Sequence, residues 1–127
     1  MTTRRNTQQQ DAIRNAIQGA GRPLSIDEIH SMAQRDVPAL GLRTVYRVVD
    51  RLLQDGEITR VHIAGNTDRF ESAEIASTHH HHFRCETCDR VFDVTPCVGR
   101  LERMLPKGFT LSGHEVLLWG SCSDCAN

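Results

Sequence analysis

The 127-residue sequence predicts an α+β fold, with three helices and a hairpin in its first half and short strands around one short helix in its second. Three observations predict it. Apolar residues recur at helical spacing over residues 42–55, two turn-separated strand runs follow them, and all five cysteines lie beyond residue 70 with five of the seven histidines. The length is short even for one ordinary domain. At 39% apolar, 24% charged and net charge −1, the composition is that of a soluble globular protein. No stretch approaches the roughly 18 apolar residues of a membrane span. The basic residues of MTTRRNTQQQD precede no apolar run, which argues against a secretory signal. A cytoplasmic location is expected, and cysteines in a reducing compartment read as metal ligands or free thiols.

The first helix is expected over residues 7–18, where Ile13, Ala16 and Ile17 share a face and Gly19-Ala20-Gly21 stops it. The second opens on Ser25-Ile26-Asp27-Glu28, a capping box, with Leu24 and Ile29 placed to close a hydrophobic staple; it ends before Val37-Pro38. In the third, residues 42–55, Leu42, Val45, Val48, Val49, Leu52 and Leu53 form one apolar stripe. Arg43, Thr44, Arg47, Asp50, Arg51 and Gln54 lie away from it, and Gly56 is the stop. Runs 58–63 and 69–71 flank Ala64-Gly65-Asn66-Thr67, a turn sequence. Three helices and a hairpin make a winged helix-turn-helix, assigned to residues 1–72.

An exposed helix face can be plain solvated surface. Here three arginines line it and a wing follows directly, and an arginine fork can read guanine edges or grip phosphates. Residues 1–70 carry ten Arg against eight Asp and Glu. That is a weak positive balance for duplex DNA, whose nonspecific affinity scales with the number of phosphates met, so geometry and a second subunit must contribute.

The remaining residues, 73–127, are expected to form a small α/β unit with strands at 82–85, 90–94, 109–111 and 114–119. Val98, Leu101 and Leu105 mark a short helix ended by Pro106-Lys107-Gly108. Its apolar strands could pair with a second copy of themselves.

Cys85-x-x-Cys88 and Cys122-x-x-Cys125 are two knuckle-type pairs separated by 33 residues. Each can place two thiolates on one side of a zinc tetrahedron, with Zn–S about 2.3 Å. The alternatives are disulfides, unlinked thiols or a redox pair, although neither motif opens a helix after a strand. A unit of about 55 residues buries too little apolar surface for comfortable stability, and structural zinc contributes folding energy directly.

His79-His80-His81-His82 lies directly before the first knuckle. In an extended chain, His79 and His81 point one way and His80 and His82 the other, so one run can feed two metal sites. His79, His81, Cys97 and His114 would offer three imidazoles and one thiolate, a set suited to zinc and poorly to iron(II) or manganese(II). His80 and His82 can combine with Glu71 and Asp93 into a nitrogen–oxygen set open to iron(II). Against these stand a solvated histidine run, Cys97 as a small buried hydrophobe, and Glu71 and Asp93 as surface charge.

Gly41-Leu42-Arg43-Thr44-Val45-Tyr46-Arg47-Val48-Val49, the histidine run through Phe83 and Cys85-x-x-Cys88, and Gly108-Phe109 leading to His114 and Gly120-x-Cys122-x-x-Cys125 together resemble the ferric uptake regulator family across nearly the whole chain. The resemblance implies a winged helix, a dimerisation domain and a homodimer on palindromic double-stranded DNA, repressing uptake genes when metal is abundant. Tyr46 and Arg47 match its DNA-reading helix; with Arg43, Thr44 and Arg51 they are the expected DNA-binding residues. Cys85, Cys88, Cys122 and Cys125 match its structural zinc. There are departures. Arg22-Pro23 stands where many members carry a histidine, leaving His30 and His62 as candidate substitutes. Cys97 falls where an acidic residue is usual, and His81 where iron-sensing relatives often have aspartate. The last-wing-strand cysteine of zinc-sensing members is absent. Four consecutive histidines nonetheless look more like zinc-sensing members, and with the imidazole–thiolate set they make a zinc-responsive repressor the expectation, with an iron(II)-, manganese(II)- or peroxide-responsive relative as alternative. Two rivals come from other classes: a metallohydrolase, for which no HExxH motif is present, and a zinc-stabilised protein adaptor. No enzymatic activity is expected.

Overall fold

The computed structural model of the chain describes residues 2–76, 80–95, 97 and 99–126, with side chains from residue 6 onward. His79 and Val98, to which the sequence assigns a ligand and a helical position, lie outside the described residues. The chain divides into two compact units, Met1–Thr78 and His79–Asn127.

The first unit runs α1 (Thr2–Gly19), α2 (Ile26–Ala33), α3 (Leu42–Gln54), β1 (Ile58–Val61), β2 (Arg69–Ser72) and α4 (Ala73–Ala76). α1 starts five residues earlier than its apolar spacing suggests, because no glycine or proline interrupts residues 2–6. The capping box of α2 is formed: the Glu28 N–H donates to Ser25 Oγ at 3.2 Å and the Ser25 N–H to Glu28 Oε1 at 3.1 Å. Ser25→Ala is expected to cost about 1 kcal/mol, read as a lower urea midpoint for the full chain. An unchanged midpoint would count against the cap.

On α3, Val45, Val48, Val49 and Leu52 are buried among Ile13, Ile29 and Phe70. Leu42 departs from the expected stripe and is 41% exposed, since the first helical residue precedes the turn that would bring it onto the core. Each fully buried aliphatic side chain contributes roughly 1.5–3 kcal/mol, so this interface holds the three helices together. Arg14 on α1 adds a two-point contact with Glu57, Nε to Oε1 and Nη2 to Oε2, each 3.1 Å.

β1 and β2 form the antiparallel wing, in register from Ile58↔Ser72 to Val61↔Arg69. β1 ends two residues short of the expected run. The fully buried Arg69 guanidinium donates to the Thr67 carbonyl at 2.6 Å and to Thr67 Oγ1 at 2.7 Å, pinning the wing turn from inside. Leu24 and Phe70 exchange backbone hydrogen bonds of 2.9 and 2.8 Å, tying the entry to α2 onto the wing. The result is a winged helix.

The second unit comprises β3 (His81–Cys85), β4 (Val91–Val94), a 3-10 helix (Leu101–Met104) and β5 (Leu117–Gly120), with strand order β4-β3-β5. β4 runs antiparallel to β3, with His82 opposite Asp93, while β5 runs parallel to it, with Cys85 opposite Gly120. Three expectations change. Residues 109–111 form no strand, Phe109 instead closing a turn onto the Pro106 carbonyl at 3.2 Å. The last strand begins at Leu117, which leaves His114 in the preceding segment. The helical turn begins at Leu101, so Cys97 precedes it by four residues instead of opening it.

Candidate metal centres and nucleic-acid face

The parallel pairing of β3 with β5 assembles the cysteines. Cys85 ends β3, Cys88 follows in its turn, and Cys122 comes two residues after β5, whose last residue lies beside Cys85. The Sγ atoms of Cys85, Cys88, Cys122 and Cys125 all lie within 4.8 Å of one another, and Cys88 and Cys122 are 3.9 Å apart. A tetrahedron with 2.3 Å Zn–S bonds has edges of about 3.8 Å, so the donor set and its spacing fit zinc. None of the five cysteines is disulfide-bonded in the structure, and the spacing of the four is that of a metal tetrahedron.

The surroundings favour thiolates unevenly. The Cys85 thiol is lowered to about 6, first by the Cys88 N–H at 3.5 Å and then by the Cys122 N–H at 3.4 Å. Cys88 is lowered chiefly by the Arg90 guanidinium. Cys125 is pushed up to about 12, chiefly by its hydrogen bond with Cys122. Metal-free, the tetrad thus holds acidic and basic thiols side by side, an arrangement in which a cation can displace the remaining protons.

A second group gathers beside the sheet. Cys97 Sγ lies 3.2 Å from His81 Nε2 and 3.1 Å from His114 Nε2, and the two imidazole centroids are 5.0 Å apart. The Val116 N–H donates to His81 Nδ1 at 3.2 Å, so Nε2 is the nitrogen turned to the thiol. Alternation along β3 separates these residues from a third group. His80 and His82 approach Asp93 Oδ1 through Nε2 at 3.2 and 3.5 Å, with their rings edge to face. Glu71 belongs to the first unit, on β2 opposite Thr59. His30 and His62 are engaged within that unit too: the His30 Nε2–H donates to the Leu40 carbonyl at 2.8 Å, and His62 Nδ1 lies 3.1 Å from Asp68.

The outer face of α3 presents Arg43, Tyr46, Arg47 and Arg51, all exposed, with Thr44 half-buried. Beside it, Asp27, Tyr46, Asp50, Arg60 and Asp68 line a groove of about 290 Å³ reaching the wing. Two residues of consequence escaped the sequence reading. Arg60 is an exposed wing cation, 5.7 Å from the Phe70 ring centroid. Arg90 reaches both cysteine pairs; its only trace in the sequence is a cation two residues after the first knuckle.

A winged helix joined in one chain to a four-cysteine cluster and histidine-bearing ligand groups defines a metal-responsive, DNA-binding class of transcription regulator. The chain belongs to the ferric uptake regulator family, whose model matches residues 2–119. It is 32% identical to the ferric uptake regulation protein of Haemophilus influenzae over 79% of this chain and 69% of that one. Among solved structures it resembles the Vibrio cholerae ferric uptake regulator, with TM-score 0.65 and 29% identity over 90% of this chain and 88% of that one. It also resembles FurB of M. tuberculosis, a zinc uptake regulator, with TM-score 0.51 and 26% identity over 95% of each chain. Members of this family are transcription regulators. No helix among the described residues is long and apolar enough to cross a membrane.

Proposed function

We propose that this chain is a zinc-responsive repressor of metal-uptake genes, acting in the cytoplasm as a homodimer on palindromic double-stranded DNA. The observation that carries the choice of zinc is the thiolate donor between two imidazoles: Cys97 Sγ within 3.2 Å of both His81 and His114. Nitrogen and sulfur donors together favour zinc over the harder iron(II) and manganese(II). His79, outside the described residues, completes this set by strand alternation from His81 and by the family resemblance. Bound at such sites, a divalent cation supplies fixed, directional bonds between segments far apart in sequence.

The chain's own residues carry the rest. Residues 1–72 bind DNA, with Arg43, Thr44, Tyr46, Arg47 and Arg51 along α3 meeting base edges and phosphates. Residues 73–127 dimerise and hold metal, with Cys85, Cys88, Cys122 and Cys125 as the structural site. Exposed Leu118, Trp119 and Phe109 supply apolar surface for a second copy to cover. His80, His82 and Asp93 make a second regulatory set, to which the resemblance adds Glu71. Occupancy then selects a DNA-competent state whose recognition helices match grooves about 34 Å apart.

An iron(II)-responsive reading is favoured by one observation, the all nitrogen–oxygen donors of the His80, His82 and Asp93 group. Titrating DNA with protein carrying only its structural zinc, then adding zinc, iron(II) or manganese(II), separates the two. Zinc is expected to tighten binding by about 5- to 150-fold, the usual span of allosteric coupling. Equal affinity with and without added metal would defeat the sensor reading, and a response to iron(II) alone would transfer it to that metal.

A further inference from the structure

We propose that Arg90 is an electrostatic clamp on the tetrathiolate centre, holding zinc in place by sharing the charge of Cys88 and Cys122. This deepens the structural-zinc reading above and rests on it.

Four thiolates around one divalent cation leave a net charge of −2, largely on sulfur. Arg90 meets that charge at two points: its Nε–H donates to Cys88 Sγ at 3.1 Å and its Nη2 to Cys122 Sγ at 3.5 Å. One guanidinium thus spans both knuckles, one sulfur from each. Asp124, between Cys122 and Cys125, receives Nη2 at 3.0 Å and fixes the fork's angle. The Arg90 carbonyl also accepts the Cys85 N–H at 2.9 Å, so its backbone is locked to the same knuckle. A planar fork suits this task where a lysine ammonium would not, because only the fork presents several donors in fixed directions.

The chemical consequence concerns sulfur. A charge-assisted N–H bond withdraws electron density from a thiolate, which lowers its nucleophilicity and its tendency to leave the metal protonated. Cys88 is the most exposed residue of the tetrad. Arg90 covers it. Cys125 has no such contact with Arg90, which gives the proposal an internal control.

The test uses the full-length, zinc-loaded protein and its Arg90→Met, Arg90→Lys and Asp124→Asn variants. Zinc transfer to a chromogenic chelator is followed, and iodoacetamide labelling of each cysteine is mapped by mass spectrometry. Losing an outer-sphere partner typically costs about 10- to 100-fold in metal affinity, and Arg90→Met is expected to fall in that range. Arg90→Lys and Asp124→Asn should lie between it and the parent chain. Cys88 and Cys122 should gain reactivity ahead of Cys125 in Arg90→Met, whereas simple unfolding would expose all four together. Parent-like zinc transfer in Arg90→Met, or uniform labelling of the tetrad, overturns the clamp. If instead the parent chain holds no zinc that Cys122→Ser removes, the structural-zinc reading itself fails.

Discussion

Replacing Cys122 with serine is expected to strip the structural zinc and leave the second unit unfolded, while the winged helix keeps its helical signal. The imbalance lies in the cores. The first unit buries a continuous cluster running from Ala12 to Phe70. In the second, the only buried apolar residues among those described are Cys85, Val91 and Cys122, and two of these are thiol donors. Apolar burial within one chain therefore supplies little there, and metal binding, together with whatever a second copy covers, must supply the rest. Apparent zinc-binding energies of about 10–16 kcal/mol in small zinc-dependent folds exceed the whole stability of many domains. Serine keeps the shape of Cys122 at slightly smaller volume, but its hydroxyl stays protonated at neutral pH and cannot replace a thiolate ligand. Zinc content and thermal melting of the variant check this. A variant that still carried one zinc per chain at the tetrad and melted like the parent would refute it.

Cys97→Ser is expected to weaken the zinc response of DNA binding severely without disturbing either fold. Cys97 is half-buried and outside the structural tetrad, so its loss opens no cavity in a core. What disappears is the one sulfur facing His81 and His114. The zinc needed for half-maximal DNA binding should rise by more than the roughly 10- to 100-fold that losing an outer-sphere partner costs. Cys97→Asp should instead move the preference toward iron(II) or manganese(II), because a carboxylate is the harder donor. Metal titrations monitored by DNA binding decide the matter. An intact zinc response in Cys97→Ser would remove Cys97 from the sensor.

Much of the fold is legible in local patterns. The capping box of α2 and the Val45–Leu52 stripe of α3 are interactions between residues three or four apart, which sequence spacing reports directly. The cysteine pairs announce themselves the same way. What unites the pairs does not, because Cys85 meets Cys122 through a parallel register between strands more than thirty residues apart, and no local period encodes that. Residues 109–111 show the opposite failure. Phe-Thr-Leu has strand propensity, yet a strand requires a neighbour's backbone, and none among the described residues pairs with this segment. Leu42 was lost to end effects, since periodicity assumes a helix already under way. Arg90 was invisible because a single arginine carries no pattern; only its position beside two sulfurs gives it meaning.

The aromatic residues have a practical consequence. The chain contains one tryptophan and one tyrosine. Trp119 sits on β5 of the second unit, 64% exposed, and Tyr46 on α3 of the first, 52% exposed. Each unit therefore carries its own intrinsic chromophore. Under the proposed function, indole emission, excited where phenol does not absorb, would follow loading and release of cation in the second unit, and the Tyr46 phenol would be the probe on the helix proposed to meet DNA. The unlabelled protein can report the order in which its two halves respond.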